Sequence, residues 1–174
     1  IELPRYEGEG LRRPPGPETY LPESSPFDIA AMHGQIRLAD QRAIEDLTDY
    51  LLSMATSADP NTVVLGAYDD EGAREACVPR LEAMRHTAAF VAVTAPRSRT
   101  VSRTDAANLR ATDARGLAGS DTTLVVVGPY AASAMCTRLD PGGYHRLVIT
   151  HDRARVGAIA RVLVQDLPSR LTGE

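Results

Sequence analysis

No lysine and no tryptophan occur among the 174 residues, and cysteine occurs only twice. Without lysine the chain can form neither a Schiff base with a carbonyl substrate nor the lysine contact of a phosphate-binding loop. Its 19 basic side chains are therefore all arginine, a bias that GC-rich codon usage explains without any functional cause. Cys77 and Cys136 stand apart from each other, which leaves out a disulfide framework and a zinc site. They read as small buried hydrophobes, each inside a helix, in a reducing cytoplasm. No apolar run is long enough to span a bilayer, and no basic-then-apolar leader is present. Positive charge is also in deficit. A net charge of −4 gives no reason to expect direct binding to nucleic acid or to an acidic membrane.

What remains is an ordinary globular composition, 43% hydrophobic, in a length that suits one domain better than two. Residues 1–26 are dense in proline, glycine and glutamate and read as an arm or linker. Because the chain starts at Ile1, an upstream domain is expected to precede this arm. The folded domain is expected over residues 27–170. Phe27 opens a short apolar helical turn that Gly34 breaks. Asp40 then caps an amphipathic helix with Ile44, Leu47, Leu51 and Met54 inward and Glu45, Asp46 and Asp49 outward. Asp59-Pro60 stops it.

Four apolar runs read as buried strands: 61–68, 88–95, 122–129 and 144–151. Helical patterns fill the intervals: Glu71 to His86 with Cys77, Leu81 and Met84 on one face, and Tyr130–Leu139 behind the Gly128-Pro129 start. A last helix from Arg153 to Leu167 carries Val156, Ile159, Ala160 and Leu163 inward. Residues 96–120 read as a polar excursion with a short extended piece around Val101, and Asp140-Pro141-Gly142-Gly143 is a turn. The expected fold is α/β: a three-layer sandwich with a mostly parallel four- or five-stranded sheet flanked by helices.

The order of "SPFDIA", "RAIEDLTDYLL", "VVLGAYDDEGAREACVPRLEAMRHTAAFVAVTA", "DTTLVVVGPYAASAM" and "HRLVITHDRARVGAIARVL" resembles the DICT sensory domain. This bacterial module is named for its occurrence with diguanylate cyclases and two-component systems. The resemblance covers roughly residues 25–168 and rests on the acidic "AIEDL" helix, the "VVLGAY" strand and the closing "VITHDR". It implies a non-catalytic signal-input domain attached to or associated with an output module. Diguanylate cyclases, histidine-kinase systems and MerR-type DNA-binding regulators are the outputs it suggests. A light-linked role, also implied by the family, gets no support from a chain without tryptophan. No output domain is visible within the chain.

The residues themselves offer little chemistry. Asp152 reads as a helix cap and His151, beside it, as a strand-tip ligand contact. No G-x-S-x-G elbow supplies a nucleophile for a triad. His33, His86 and His145 lack metal-ligand spacing, and "GPYAASAM" has one glycine where a phosphate turn needs several. No cofactor or metal is therefore expected. In an open parallel sheet, ligands sit beyond the C-terminal strand ends. That rim would gather Tyr68, Asp69, Thr94, Tyr130 and His151 around a small molecule. Two other classes compete with the sensory reading. A small enzyme or nucleotide-binding protein would show a convergent polar site. A homodimerising domain without a ligand would show an apolar face and no pocket.

Overall fold

The computed structural model describes residues 24–56, 60–69, 71–84, 87–88, 90–95, 109–113 and 121–165. They form helices α1 (Pro26–Ala31), α2 (Gln41–Thr56), α3 (Glu71–Met84) and α4 (Arg153–Gln165). The strands are β1 (Arg37–Ala39), β2 (Val63–Ala67), β3 (Phe90–Ala95), β4 (Leu109–Asp113), β5 (Asp121–Val127), β6 (Ala132–Leu139) and β7 (His145–Thr150). All seven strands join one sheet in the order β1-β7-β6-β5-β2-β3-β4.

The expected mostly parallel sheet of four or five strands is corrected by this topology. Only β2–β3 and β3–β4 are parallel, while β1–β7, β7–β6, β6–β5 and β5–β2 are antiparallel. The decisive difference lies at residues 132–139, where a helix was expected. "ASAMCTRL" is instead the middle strand of a β5–β6–β7 meander, and Cys136 lies in that strand. Its two hairpin turns explain the antiparallel course. In the first, the Gly128 N–H donates to the Ala131 carbonyl at 2.8 Å. In the second, the Asp140 carboxylate accepts from the Gly142 N–H at 2.6 Å. There Gly143 adopts φ +83°, a conformation that glycine enters at little cost.

Helices cover both faces. On one, Leu51, Leu52, Leu81 and Met84 of α2 and α3 pack on Val64, Val91, Leu124 and Met135. On the other, Phe27 and Ile29 of α1 and Val156, Ile159 and Leu163 of α4 pack on Leu65, Val125, Ala134 and Val148. The Cys136 thiol sits in that second core, where burial pushes its pKa up to about 12. It stays protonated at neutral pH. The helix starts use short polar caps. Asp40 accepts from the Ala43 N–H at 2.8 Å, Asp152 from Arg155 N–H at 2.9 Å and Ser25 from Asp28 N–H at 3.2 Å. Met54, expected inward on α2, is exposed; Thr48 and Ala55 are buried in the same helix.

One charged cluster ties α1 to the end of the sheet. Asp121 opens β5, is 2% exposed, and stands opposite Arg138 in the β5–β6 register. Arg138 grips it through two bonds, Nε to Oδ1 at 2.6 Å and a terminal nitrogen to Oδ2 at 2.7 Å. The same guanidinium reaches Asp28 and Ser25 of the α1 start and lies 4.5 Å over the Phe27 ring. Of the expected arm, residues 1–23 lie outside the described residues, and Ser24–Pro26 belong to the α1 start. Val101, His86 and most of the 96–120 excursion also lie outside them; within that excursion, β4 forms at residues 109–113.

Candidate functional site

Strand direction decides which residues can meet. Tyr68 and Asp69 follow β2, and Thr94 of β3 pairs with Ala67, so these three share one end of the sheet. β5 runs against β2, with Val127 opposite Val63, which carries Tyr130 to the opposite end. His151 follows Thr150, the register partner of Ala134 near the start of β6, and therefore also lies at that far end. The expected five-residue rim is split in two. Its premise, a common direction for all strands, fails at the β2–β5 pair.

At the far end little is built. Tyr130 is 92% exposed at the tip of a hairpin. His151 is exposed, with Nδ1 3.1 Å from the Ser133 hydroxyl, and no carboxylate among the described residues bonds to it. Asp152 faces away as the α4 cap. The Thr94 side chain lies outside the described residues.

The Tyr68 end is different. Between α2, α3 and the ends of β2, β5, β6 and β7 lies a cavity of about 550 Å³, a size typical of small-molecule sites. Ile44, Ala73, Ala76, Cys77 and the Tyr68 ring give it apolar walls; Glu45, Asp49, Asp69, Arg80, Thr137 and His145 give it a polar border. The helical stripe 41–44–45–48–49 of α2 supplies one wall, because residues three and four apart share a face. Successive turns of α3, from Gly72 to Arg80, supply the other.

Tyr68 is the central feature. It is 3% exposed, yet its hydroxyl has no hydrogen-bond partner among the described residues. Burial, and then the adjacent Cys77 thiol, push the phenol pKa well above its ordinary value. The group is therefore a neutral hydroxyl, and leaving such a group unpaired in the interior costs about 1–3 kcal/mol. Its ring folds back along the strand over Gly66. A Cβ at Gly66 would lie 2.8 Å from the ring edge and 3.2 Å from the hydroxyl oxygen, so the absence of a side chain there creates the space.

The border is held in place from several elements. Thr122 of β5 donates to Asp69 Oδ1 at 2.7 Å and accepts from the Asp69 N–H at 3.2 Å, fixing the turn after β2. Gln41 donates to Glu45 at 3.0 Å along α2. Arg80 of α3 pairs with Asp49 of α2, bridging the two helices at the mouth. Thr48 turns its hydroxyl back to the Ile44 carbonyl at 2.8 Å.

The expected set thus contributes Tyr68 and Asp69 to the cavity. Glu45, Asp49, Arg80, Thr122, Thr137 and His145 were not among the expected site residues. Glu45, Asp46 and Asp49 of α2 are exposed as expected, and two of them, Glu45 and Asp49, border the cavity mouth. Their spacing held one signal: a threonine at position 48 interrupts the apolar stripe between two carboxylates four residues apart. His145 was placed away from the rim because the rim was assigned to the opposite strand ends.

Chemically the arrangement is suited to holding a molecule. No group of three histidine, cysteine, aspartate or glutamate side chains among the described residues is placed to bind a metal. No helix among them is long and apolar enough to cross a membrane. Against known proteins, no family model, no curated protein and no solved structure matches this chain.

Proposed function

We propose that this chain is a signal-input domain that binds a small molecule in the α2–α3 cavity and controls an attached or associated output module without catalysing a reaction. The observation that carries this reading is the cavity of about 550 Å³ between α2, α3 and the strand ends, with apolar walls and a polar border. Side chains that line an unfilled space lack packing partners on that side, and a ligand that fits the space supplies those contacts. The polar side chains around it sit as a binding border rather than as a nucleophile hydrogen-bonded to a base.

The cavity walls offer a route for the response. α2 and α3 belong to one helical layer and are linked across the mouth by Asp49 and Arg80. A ligand that fits one spacing of the two helices better than another shifts the balance between them. The output class comes from the resemblance to the DICT domain: a transcription regulator or a cyclic-di-GMP or two-component partner. A reducing cytoplasm suits the two buried free thiols, Cys77 and Cys136.

Native mass spectrometry of the chain purified from its own host tests the reading. The wild-type chain is expected to carry a small-molecule mass near one equivalent. Ala76→Trp, which places a large side chain into the cavity from an exposed position on α3, is expected to lose it. A wild-type chain with no added mass, or an Ala76→Trp chain that keeps the same one, would contradict the proposal.

A further inference from the structure

One wall of the cavity is a helix with a proline in its interior. Pro79 lies inside α3, Glu71–Met84. It has no N–H to donate to the Glu75 carbonyl, its ring crowds that carbonyl, and it disfavours a helical backbone at Val78. Helices bend at such breaks. The two sides of this one are anchored unequally. Beyond it, Leu81 and Met84 are fully buried in the core and Arg80 pairs with Asp49 of α2. The Met84 carbonyl also accepts from the Thr87 and Ala88 N–H groups. Before it, none of residues 72–76 is fully buried, and Cys77 is the buried side chain closest to the proline. Gly72, Ala73, Ala76 and Cys77, all on the loosely anchored side, line the cavity.

We propose that residues 71–78 form a lid over the α2–α3 cavity that swings about Pro79. Opening it leaves Leu81, Met84 and the Arg80–Asp49 pair in place, so it is a local event well below global unfolding in free energy. It lifts Cys77 out of the wall. A lid of this kind admits a molecule and then encloses it. That purpose rests on the binding role proposed above, whereas the hinge itself does not.

The two cysteines time the motion. Cys136 sits in the other core, under α1 and α4, and is exposed only when the domain unfolds. Iodoacetamide labelling of the whole chain, read site by site by mass spectrometry, compares the two thiols. Cys77 is expected to label at least about tenfold faster than Cys136. Pro79→Ala, which restores the missing helix bond and stabilises the straight helix, is expected to slow Cys77 by about five- to tenfold. Equal rates at the two cysteines would overturn the lid, because Cys77 would then be reached only through global unfolding. A Cys77 rate unchanged by Pro79→Ala would overturn the hinge, because unwinding from Glu71 or direct exposure responds little to residue 79. No ligand enters this experiment, so either negative result leaves the cavity as the proposed binding site.

Discussion

Arg138→Met is expected to destabilise the fold by about 3–5 kcal/mol, the usual penalty when one member of a buried ion pair is removed. The partner left behind, Asp121, has a side chain with no exposure, so water cannot replace the two lost bonds. The damage also spreads to α1, since the same guanidinium holds Ser25 and Asp28 and covers the Phe27 ring. Asp121→Leu combined with Arg138→Met should recover most of the loss, because an apolar pair of similar bulk needs no solvation. Urea denaturation of the single and double variants reads both effects. A single variant within about 1 kcal/mol of wild type would show that Asp121 finds another partner.

Asp28 adds a pH signature to the same cluster. Burial alone would push its carboxyl pKa up, but bonds from Ser25 and Arg138 outweigh that and hold it below the usual carboxylate range. Its contribution is therefore complete above the unfolded value of about 3.9 and is lost as pH falls through the lowered folded value. The stability gap between wild type and Arg138→Met should narrow over that acid range.

Gly66→Val is expected to cost about 1–3 kcal/mol and to abolish ligand binding. The added Cβ alone would meet the Tyr68 ring at 2.8 Å, and the γ-methyl groups need more room still. Valine suits a central strand better than glycine, which offsets some of the strain by about 0.5–1 kcal/mol. The ring is the part that can move, and it moves into the cavity. Gly66→Val combined with Tyr68→Ala should then be less destabilised than the sum of the two singles, because the clash has been removed. Strict additivity would show that the ring does not lie over Gly66.

Much of the helical layer was legible because its cues are local. Asp40 and Asp152 cap where their positions suggested, and Cys77, Leu81 and Met84 do share the buried face of α3. The sheet was less legible. Residues 132–139 carry alanine, methionine and leucine behind a proline, a pattern that local propensity assigns to a helix. They form a strand because β5 and β7 flank them and both faces are covered, a condition that also erases the alternation marking a strand. β1, three residues long at the sheet edge, carried too little pattern to read.

The site followed from the sheet. Once β6 is a strand, β5 and β7 run opposite to β2, and the candidate rim divides between the two ends. Tyr68 and Asp69 keep their place, whereas Tyr130 and His151 lose it for a reason that no local spacing contains. The cavity partners on α2 and β7 become visible only when tertiary contacts show what lies across from Tyr68.

The most direct test is the stability of Tyr68→Phe in the absence of ligand, measured by urea unfolding. If the hydroxyl is an unsatisfied group in the cavity wall, removing it should stabilise the protein by about 1–2 kcal/mol. A loss of similar size would mean that the hydroxyl is already bonded within the fold, and would contradict its placement as an unpartnered group in that wall.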